Sequence, residues 1–196
     1  QSKAFTLAPK AVVLSAGIAQ VYANATQLSR ADKDIDLLYV GALDKNKGMD
    51  RLITLLPQVT DKKICVIGTG PYQAQFQKLC KDYPNLQLEA GQTAEQLKAF
   101  YQRSKCFLSL SRNESFGLVM TEAMACYTPV IATLTDGSAE QLGADSFWVL
   151  DQTDEQVLQQ NLLKKIQQLL SLSDSDYTAL QHLGHQHAKD CLVDDV

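Results

Sequence analysis

Ser109-Leu-Ser-Arg-Asn-Glu-Ser-Phe-Gly-Leu-Val-Met-Thr-Glu-Ala-Met-Ala125 is the stretch whose reading decides the fold. The apolar run Cys106-Phe107-Leu108 just ahead of it reads as a buried strand, Ser109 to Ser115 as a polar loop, and Phe116 to Ala125 as a helix by its apolar spacing. That order sets a loop and a helix N-terminus at the carboxyl edge of a strand. Open α/β sheets bind their ligands at this edge, and the unpaired N–H groups of a helix start favour an anion. Glu114 falls in the loop just before the helix and Glu122 eight residues later, a little over two helical turns. A ligand with a phosphate at the helix start could offer hydroxyls to both carboxylates, which suits a sugar nucleotide.

Working outward, strand and helix patterns alternate regularly from Ile35. Leu37 to Val40 is an apolar run ending at Gly41, and the helical pattern Met49, Leu52, Ile53, Leu56 stops at Pro57. Ile64 to Ile67 is a second strand ending at Gly68, followed by a helix over 72–82 and a short strand at Leu86-Gln87-Leu88. Thr93-Ala-Glu-Gln96 predicts a capping box opening a helix with Leu97, Phe100 and Tyr101. After the central strand and helix come a strand at Pro129 to Ala132, a short helix from Gly137 to Leu142 and a strand at 147–149. Leu158, Leu162, Ile166 and Leu169 form one apolar stripe, so 154–170 is an amphipathic helix. Such alternation implies an α/β fold with a Rossmann-like open parallel sheet flanked by helices.

The 196 residues are 45% hydrophobic and 20% charged, ordinary for a globular domain with a substantial core. A formal net charge of −4 argues against a nucleic-acid binder or a strongly basic membrane-surface protein, so any phosphate site must be local. The five cysteines, Cys65, Cys80, Cys106, Cys126 and Cys191, are odd in number, lack a Cys-x-x-Cys pair and lie mostly in apolar contexts. Free thiols in a reducing compartment explain them better than disulfides or a metal, and a cytoplasmic location is expected. Asn24-Ala-Thr26 and Asn113-Glu-Ser115 match the glycosylation acceptor pattern, read here as accidental in such a protein. No run of 18 apolar residues occurs. The chain opens on Gln and mid-pattern, as a fragment of a longer protein would.

Glu114 and Glu122 with seven residues between them, together with Phe116-Gly117-Leu118 and Glu122-Ala-Met-Ala125, resemble the donor-binding signature of retaining GT-B glycosyltransferases, the glycosyltransferase family 4 group. The resemblance spans roughly residues 10 to 150 and implies one half of a GT-B fold. Residues 1–34 would be the interdomain segment and the start of the domain, 35–196 the nucleotide-sugar-binding domain, with the N-terminal acceptor domain absent. It implies a hexosyltransferase moving a sugar with retention from a UDP- or GDP-linked donor, needing no metal and no other cofactor. In the family the first glutamate contacts donor-sugar hydroxyls and the second the ribose, while backbone N–H groups around Phe116 to Leu118 meet sugar and phosphate. Glu114 and Lys47 would be the catalytic pair; Gly41, Ser115 and Gly91 complete the expected donor site, with Gln92 a base contact by position only. Bacterial polysaccharide or glycolipid synthesis is the expected setting, with an acceptor glycan or lipid-linked sugar on the missing domain and room for peripheral membrane association at full length. The isolated fragment is expected to bind donor weakly and not turn over. The alternatives are another GT-B enzyme, an epimerase or phosphorylase, and a degenerate binding module.

The chain departs from the family pattern at three places. Gly41-Ala-Leu-Asp-Lys-Asn-Lys47-Gly48 has Ala42 where an arginine usually helps the lysine clamp the diphosphate, a loss worth ~1.5 to 3 kcal/mol unless Lys45 or Arg112 substitutes. Ser115 stands where glycine is common, narrowing the sugar pocket, and Tyr127 stands at a helix-end position that usually takes left-handed glycine, at a cost of about 1 to 2 kcal/mol. Gly68-Thr-Gly70-Pro71 lacks the third glycine of a dinucleotide fingerprint, since Gln73 falls there, and is read as a structural turn. Thr135 to Glu140 resembles the family loop that closes the pocket. His182, His185 and His187 with Cys191 invite a metal reading, but His185 and His187 are two apart and face different ways, so they are read as a polar C-terminal helix, which in an intact two-domain enzyme would pack near the first domain.

Overall fold

The computed structural model describes residues 18–143, 146 and 148–189. The strand expected at 12–14, Phe147 and Cys191 lie outside these residues. Six strands, β1 (Ile35–Val40), β2 (Ile64–Ile67), β3 (Leu86–Glu89), β4 (Ser104–Ser109), β5 (Val130–Thr133) and β6 (Val149–Leu150), form one sheet in the order β3-β2-β1-β4-β5-β6. Every neighbouring pair runs parallel, with Leu38 opposite Cys65 on one side and Phe107 on the other. The strand order reverses direction between β1 and β4, and there the loops that leave the two strands diverge and open a crevice.

Side-chain parity along the strands builds two cores. Leu37, Tyr39, Val66, Cys106, Leu108 and Ile131 face one layer, covered by α1 (Met49–Leu55), α2 (Gln73–Asp82) and the stripe Leu158, Leu162, Ile166 and Leu169 of α6 (Glu155–Leu170). Leu38, Cys65, Ile67, Phe107, Val130 and Ala132 face the other, covered by α3 (Ala94–Gln102) and α4 (Leu118–Ala125). α5 (Asp136–Leu142) follows β5, and α7 (Asp174–Lys189) packs across α4. The predicted capping box forms, with Thr93 and Gln96 making the reciprocal bonds at the start of α3, and Asp154 caps α6. None of the described helices is long and apolar enough to cross a membrane.

Several boundaries shift by a residue or two from the sequence reading, and two of the shifts have clear local reasons. α1 ends at Leu55 and tightens into a 3-10 turn over Leu56–Gln58, because Pro57 has no N–H to continue the α-ladder. α4 begins at Leu118 rather than Phe116, because Gly117 takes left-handed angles (φ 69°, ψ 35°) and turns the chain just before the helix.

Tyr127 takes the left-handed angle expected of it, with φ 56°. Its ring stacks on His185 at 3.8 Å and meets His182 edge-on at 5.8 Å, while the His185 Nδ1 atom lies 2.8 Å from the Ala125 carbonyl. The C-terminal helix thus packs on α4 within this domain. Cys65, Cys106 and Cys126 are buried free thiols and Cys80 is a half-buried one.

Candidate functional site

The crevice between β1 and β4 is a cleft of about 260 Å³. Tyr39, Val40 and Gly41 line it from β1 and the turn after it, Phe107, Leu108 and Ser109 from β4, and Leu118 and Val119 from the first turn of α4. Two loops bring charge to its mouth. Gly48, left-handed at φ 78°, ends the β1 loop and starts α1; a β-carbon there would lie 2.1 Å from the Leu110 carbonyl oxygen, so only glycine lets the two loops meet. Arg112 N–H donates to the Asn46 carbonyl at 2.7 Å, and the Asn113 amide donates to Asn46 Oδ1 at 3.1 Å, which stitches the loops together. Held this way, the Lys47 ammonium and the Glu114 carboxylate meet at 2.5 Å. They are the charged groups among the cleft's lining residues.

Behind Glu114 lies the start of α4. Gly117 caps it without a side chain, so the first amides of the helix stay open to a ligand. The Thr135 to Glu140 segment closes on this turn: Gly137 N–H donates to the Glu114 carbonyl at 2.7 Å, and a β-carbon on Gly137 would crowd the Phe116 and Gly117 backbone at 2.9 and 3.0 Å. Phe116 lines the cleft yet keeps 51% of its surface exposed.

Of the expected site residues, the fold therefore gathers Gly41, Lys47, Glu114, Phe116, Gly117 and Leu118 around one cleft. Ser115 sits in the same loop but is exposed and does not line it. Gly91 is exposed in the loop after β3, two strands from the crevice, and is not brought into it, nor is Gln92, whose amide donates to the Ala90 carbonyl. Glu122 lies further along α4, half-buried, and accepts a 2.9 Å hydrogen bond from the Tyr101 hydroxyl. Burial raises the pKa of this carboxyl, while hydrogen bonds from Tyr101 and Tyr22 work against the rise.

The place left by Ala42 is not taken by Arg112. That guanidinium pairs with Asp50 through two 2.8 Å bonds and with Glu155 at 3.1 Å, and it faces a separate cleft of about 630 Å³ over α1 and α6. The same cluster holds the buried Arg51, bonded to Glu155, Gln152 and the Leu110 carbonyl. It is a network of paired charges that fastens α6 to the end of β4, and the sequence reading passed over it because its members lie up to 105 residues apart. Lys45 remains exposed on the β1 loop. Ala42 itself contributes its carbonyl, which accepts from the Tyr39 hydroxyl at 2.9 Å. Among the described residues no group of three His, Cys, Asp or Glu side chains is placed to hold a metal.

Residues 23–181 match the family model described as glycosyl transferases group 1. The chain belongs to that family. Among relatives of this group 1 chain, a subunit of phosphatidylinositol N-acetylglucosaminyltransferase from Saccharomyces cerevisiae is 26% identical over 73% of the chain and 33% of its own length. The GDP-mannose-dependent alpha-(1-6)-phosphatidylinositol monomannoside mannosyltransferase of Mycolicibacterium smegmatis is 32% identical over 55% of the chain and 32% of its own length. The group 1 chain spans about a fifth to a third of the curated relatives it matches. Among solved structures, sucrose-phosphate synthase from Thermosynechococcus elongatus superposes with a TM-score of 0.72 at 22% identity, over 90% of this chain and 47% of that one. The pneumococcal O-GlcNAc transferase GtfA in complex with UDP and GlcNAc gives 0.70 at 19% identity, over 86% of this chain and 35% of that one. These likenesses agree with the Rossmann-like parallel sheet described above.

Proposed function

We propose that this chain is the donor-binding half of a GT-B glycosyltransferase that moves a sugar, with retention, from a nucleotide diphosphate to an acceptor. The observation that carries the reading is the meeting of Lys47 and Glu114 at 2.5 Å, one from each loop of the sheet's switch point, over the open start of α4. A diphosphate laid there faces the Lys47 ammonium and the first amides of α4, which offset the charge that grows on the leaving group. Glu114 accepts from hydroxyls of the transferred sugar, with Gly41, Phe116, Gly117 and Leu118 around it and Ser115 at the rim of the same loop, and Glu122 accepts from the ribose. Gly91 enters only if the β3 loop folds inward over the base. No metal or other cofactor is called for in this arrangement. The relatives' names, which include UDP, GDP-mannose and phosphatidylinositol, support a UDP- or GDP-linked donor and an acceptor glycan or lipid-linked sugar presented by a further domain. A cytoplasmic enzyme of polysaccharide or glycolipid synthesis, resting on the membrane surface through its other parts, fits these partners.

Ala42 favours a second reading, a degenerate binding module, because the site keeps one cation and no neighbouring arginine turns toward it. Calorimetric titration with UDP, GDP, ADP and their sugars separates the two. Selective binding of one nucleotide, weakened at least tenfold by Lys47→Ala and Glu122→Ala, is the expected result. Absence of binding at millimolar ligand to the intact protein would overturn donor binding altogether, and binding without turnover in the intact protein would favour the module.

A further inference from the structure

Glu122 lies three residues beyond Val119 and four beyond Leu118, both of which line the cleft, so helix spacing sets it on that same side of α4, just beyond the lining residues. Four residues advance it ~6 Å along the helix from the N-terminal amides, a step that separates a phosphate from the ribose diol of a nucleotide. Its orientation is not left to solvent. Oε2 accepts from the hydroxyl of Tyr101, which is fully buried in α3. The Tyr101 ring is itself wedged edge-on between Phe107 of β4 at 5.7 Å and Tyr22 at 6.1 Å. Tyr22, 2% exposed in the segment that leads into β1, packs its ring against Tyr101, and its phenol acts electrostatically on the same carboxylate.

An ionised carboxylate offers about four lone-pair directions. The Tyr101 hydroxyl takes up one of them from the protein side, which leaves others for the donors of a ligand. A buried phenol pair around a half-exposed carboxylate is more than a packing contact requires: phenylalanines would fill the same space, whereas hydroxyls fix the rotation of the carboxylate about its last bond.

Resting on the donor reading of the cleft, we infer that Tyr22 and Tyr101 are positioning residues that aim Glu122 at the vicinal hydroxyls of the donor's ribose. Neither touches the donor. Because Tyr22 precedes β1, the chain entering the domain helps shape the nucleotide site, and a shift of that segment is felt as a change in ribose recognition.

Titration of the intact protein with UDP and GDP, each against its 2′,3′-dideoxy form, tests this on Tyr22→Phe, Tyr101→Phe and Glu122→Gln, with a melting curve for each variant. The wild type is expected to prefer the ribonucleotide by about tenfold or more. Each variant should lose most of that preference while its affinity for the dideoxy form stays within about twofold. A purely structural latch would lower the melting temperature and weaken both ligands alike, which overturns the inference. Equal wild-type affinity for the two forms also overturns it but leaves donor binding standing, whereas binding of neither form removes the donor reading and the inference together.

Discussion

Lys33 is the buried cation on which the end of three elements converges. It is 2% exposed, and its ammonium donates to the carbonyls of Gln102 at 2.8 Å, Ser104 at 2.9 Å and Tyr127 at 3.2 Å, closing the ends of α3 and α4 against the start of β4. Lys33→Met keeps the aliphatic stem and removes the three donors. Tyr127's carbonyl retains the Gln181 amide at 2.9 Å, so the loss falls mainly on Gln102 and Ser104. At ~1 to 3 kcal/mol for each deprived buried acceptor, less the cost of burying the amine that is no longer incurred, the net destabilisation is about 3 kcal/mol. For a chain of this size that is roughly 6 to 12 °C in melting temperature, read by urea titration and thermal denaturation. pH supplies a second readout. Burial pushes the Lys33 pKa down to about 7, so between pH 7 and about 10.4 the unfolded chain binds more protons than the folded one. Stability from this group therefore rises with pH through that window, by up to ~1.4 kcal/mol per unit, and is least below pH 7. The difference between wild type and Lys33→Met should grow accordingly. A variant that costs less than about 1 kcal/mol would refute the energetic argument. A difference that stays flat with pH would show that the three carbonyls hold the ammonium at its ordinary pKa.

Tyr127→Gly should cost less than Tyr127→Ala by about 1 kcal/mol in chemical denaturation, because glycine accepts the left-handed angle while both lose the His185 stack. Gly137→Ala should leave the melting temperature within a few degrees yet weaken nucleotide-sugar binding about tenfold or more, since its β-carbon displaces the 114–117 turn; unchanged affinity would detach that turn from the site. Glu114→Gln should tighten binding of bare UDP or GDP several-fold and weaken discrimination in favour of the sugar-bearing donor, as measured by calorimetry.

Much of the architecture was written in short-range pattern. The apolar runs of β1, β2, β4 and β5 are buried on both faces of a parallel sheet, and such strands read as continuous hydrophobic stretches. That Lys47, Glu114, Gly117 and Leu118 gather at one cleft was legible because turn glycines and a helix start lie at short offsets from those strands. What escaped was set by contact between distant parts of the chain. Nothing near Lys33 marks it as buried, since its three carbonyl partners come from residues 102, 104 and 127. Arg112 looked available to the phosphate site by its position, but Asp50 and Glu155, folded beside it by α1 and α6, claim it instead. Gly91 was placed by analogy of loop position, and the strand order carries that loop two strands away.

The pairing of Lys47 with Glu114 bears on how a site with a single cation could favour a complete donor. Their side chains are 29% and 17% exposed, so the pair is partly withdrawn from solvent and each group holds the other in place. A diphosphate that draws Lys47 toward itself takes away the partner of Glu114 and sets its own negative charge beside that carboxylate. Phosphate alone is thus met with repulsion, in a cleft whose charged groups otherwise cancel. A sugar attached to the diphosphate changes the balance, because its hydroxyls give Glu114 the donors it has lost. With the usual arginine replaced by Ala42, no second cation masks the repulsion. If the cleft takes the proposed donor, the absence of that arginine lowers affinity for the nucleotide and raises the share of binding that depends on the sugar. On the proposed donor reading, a preference for loaded donor over spent nucleotide is the expected consequence of Ala42.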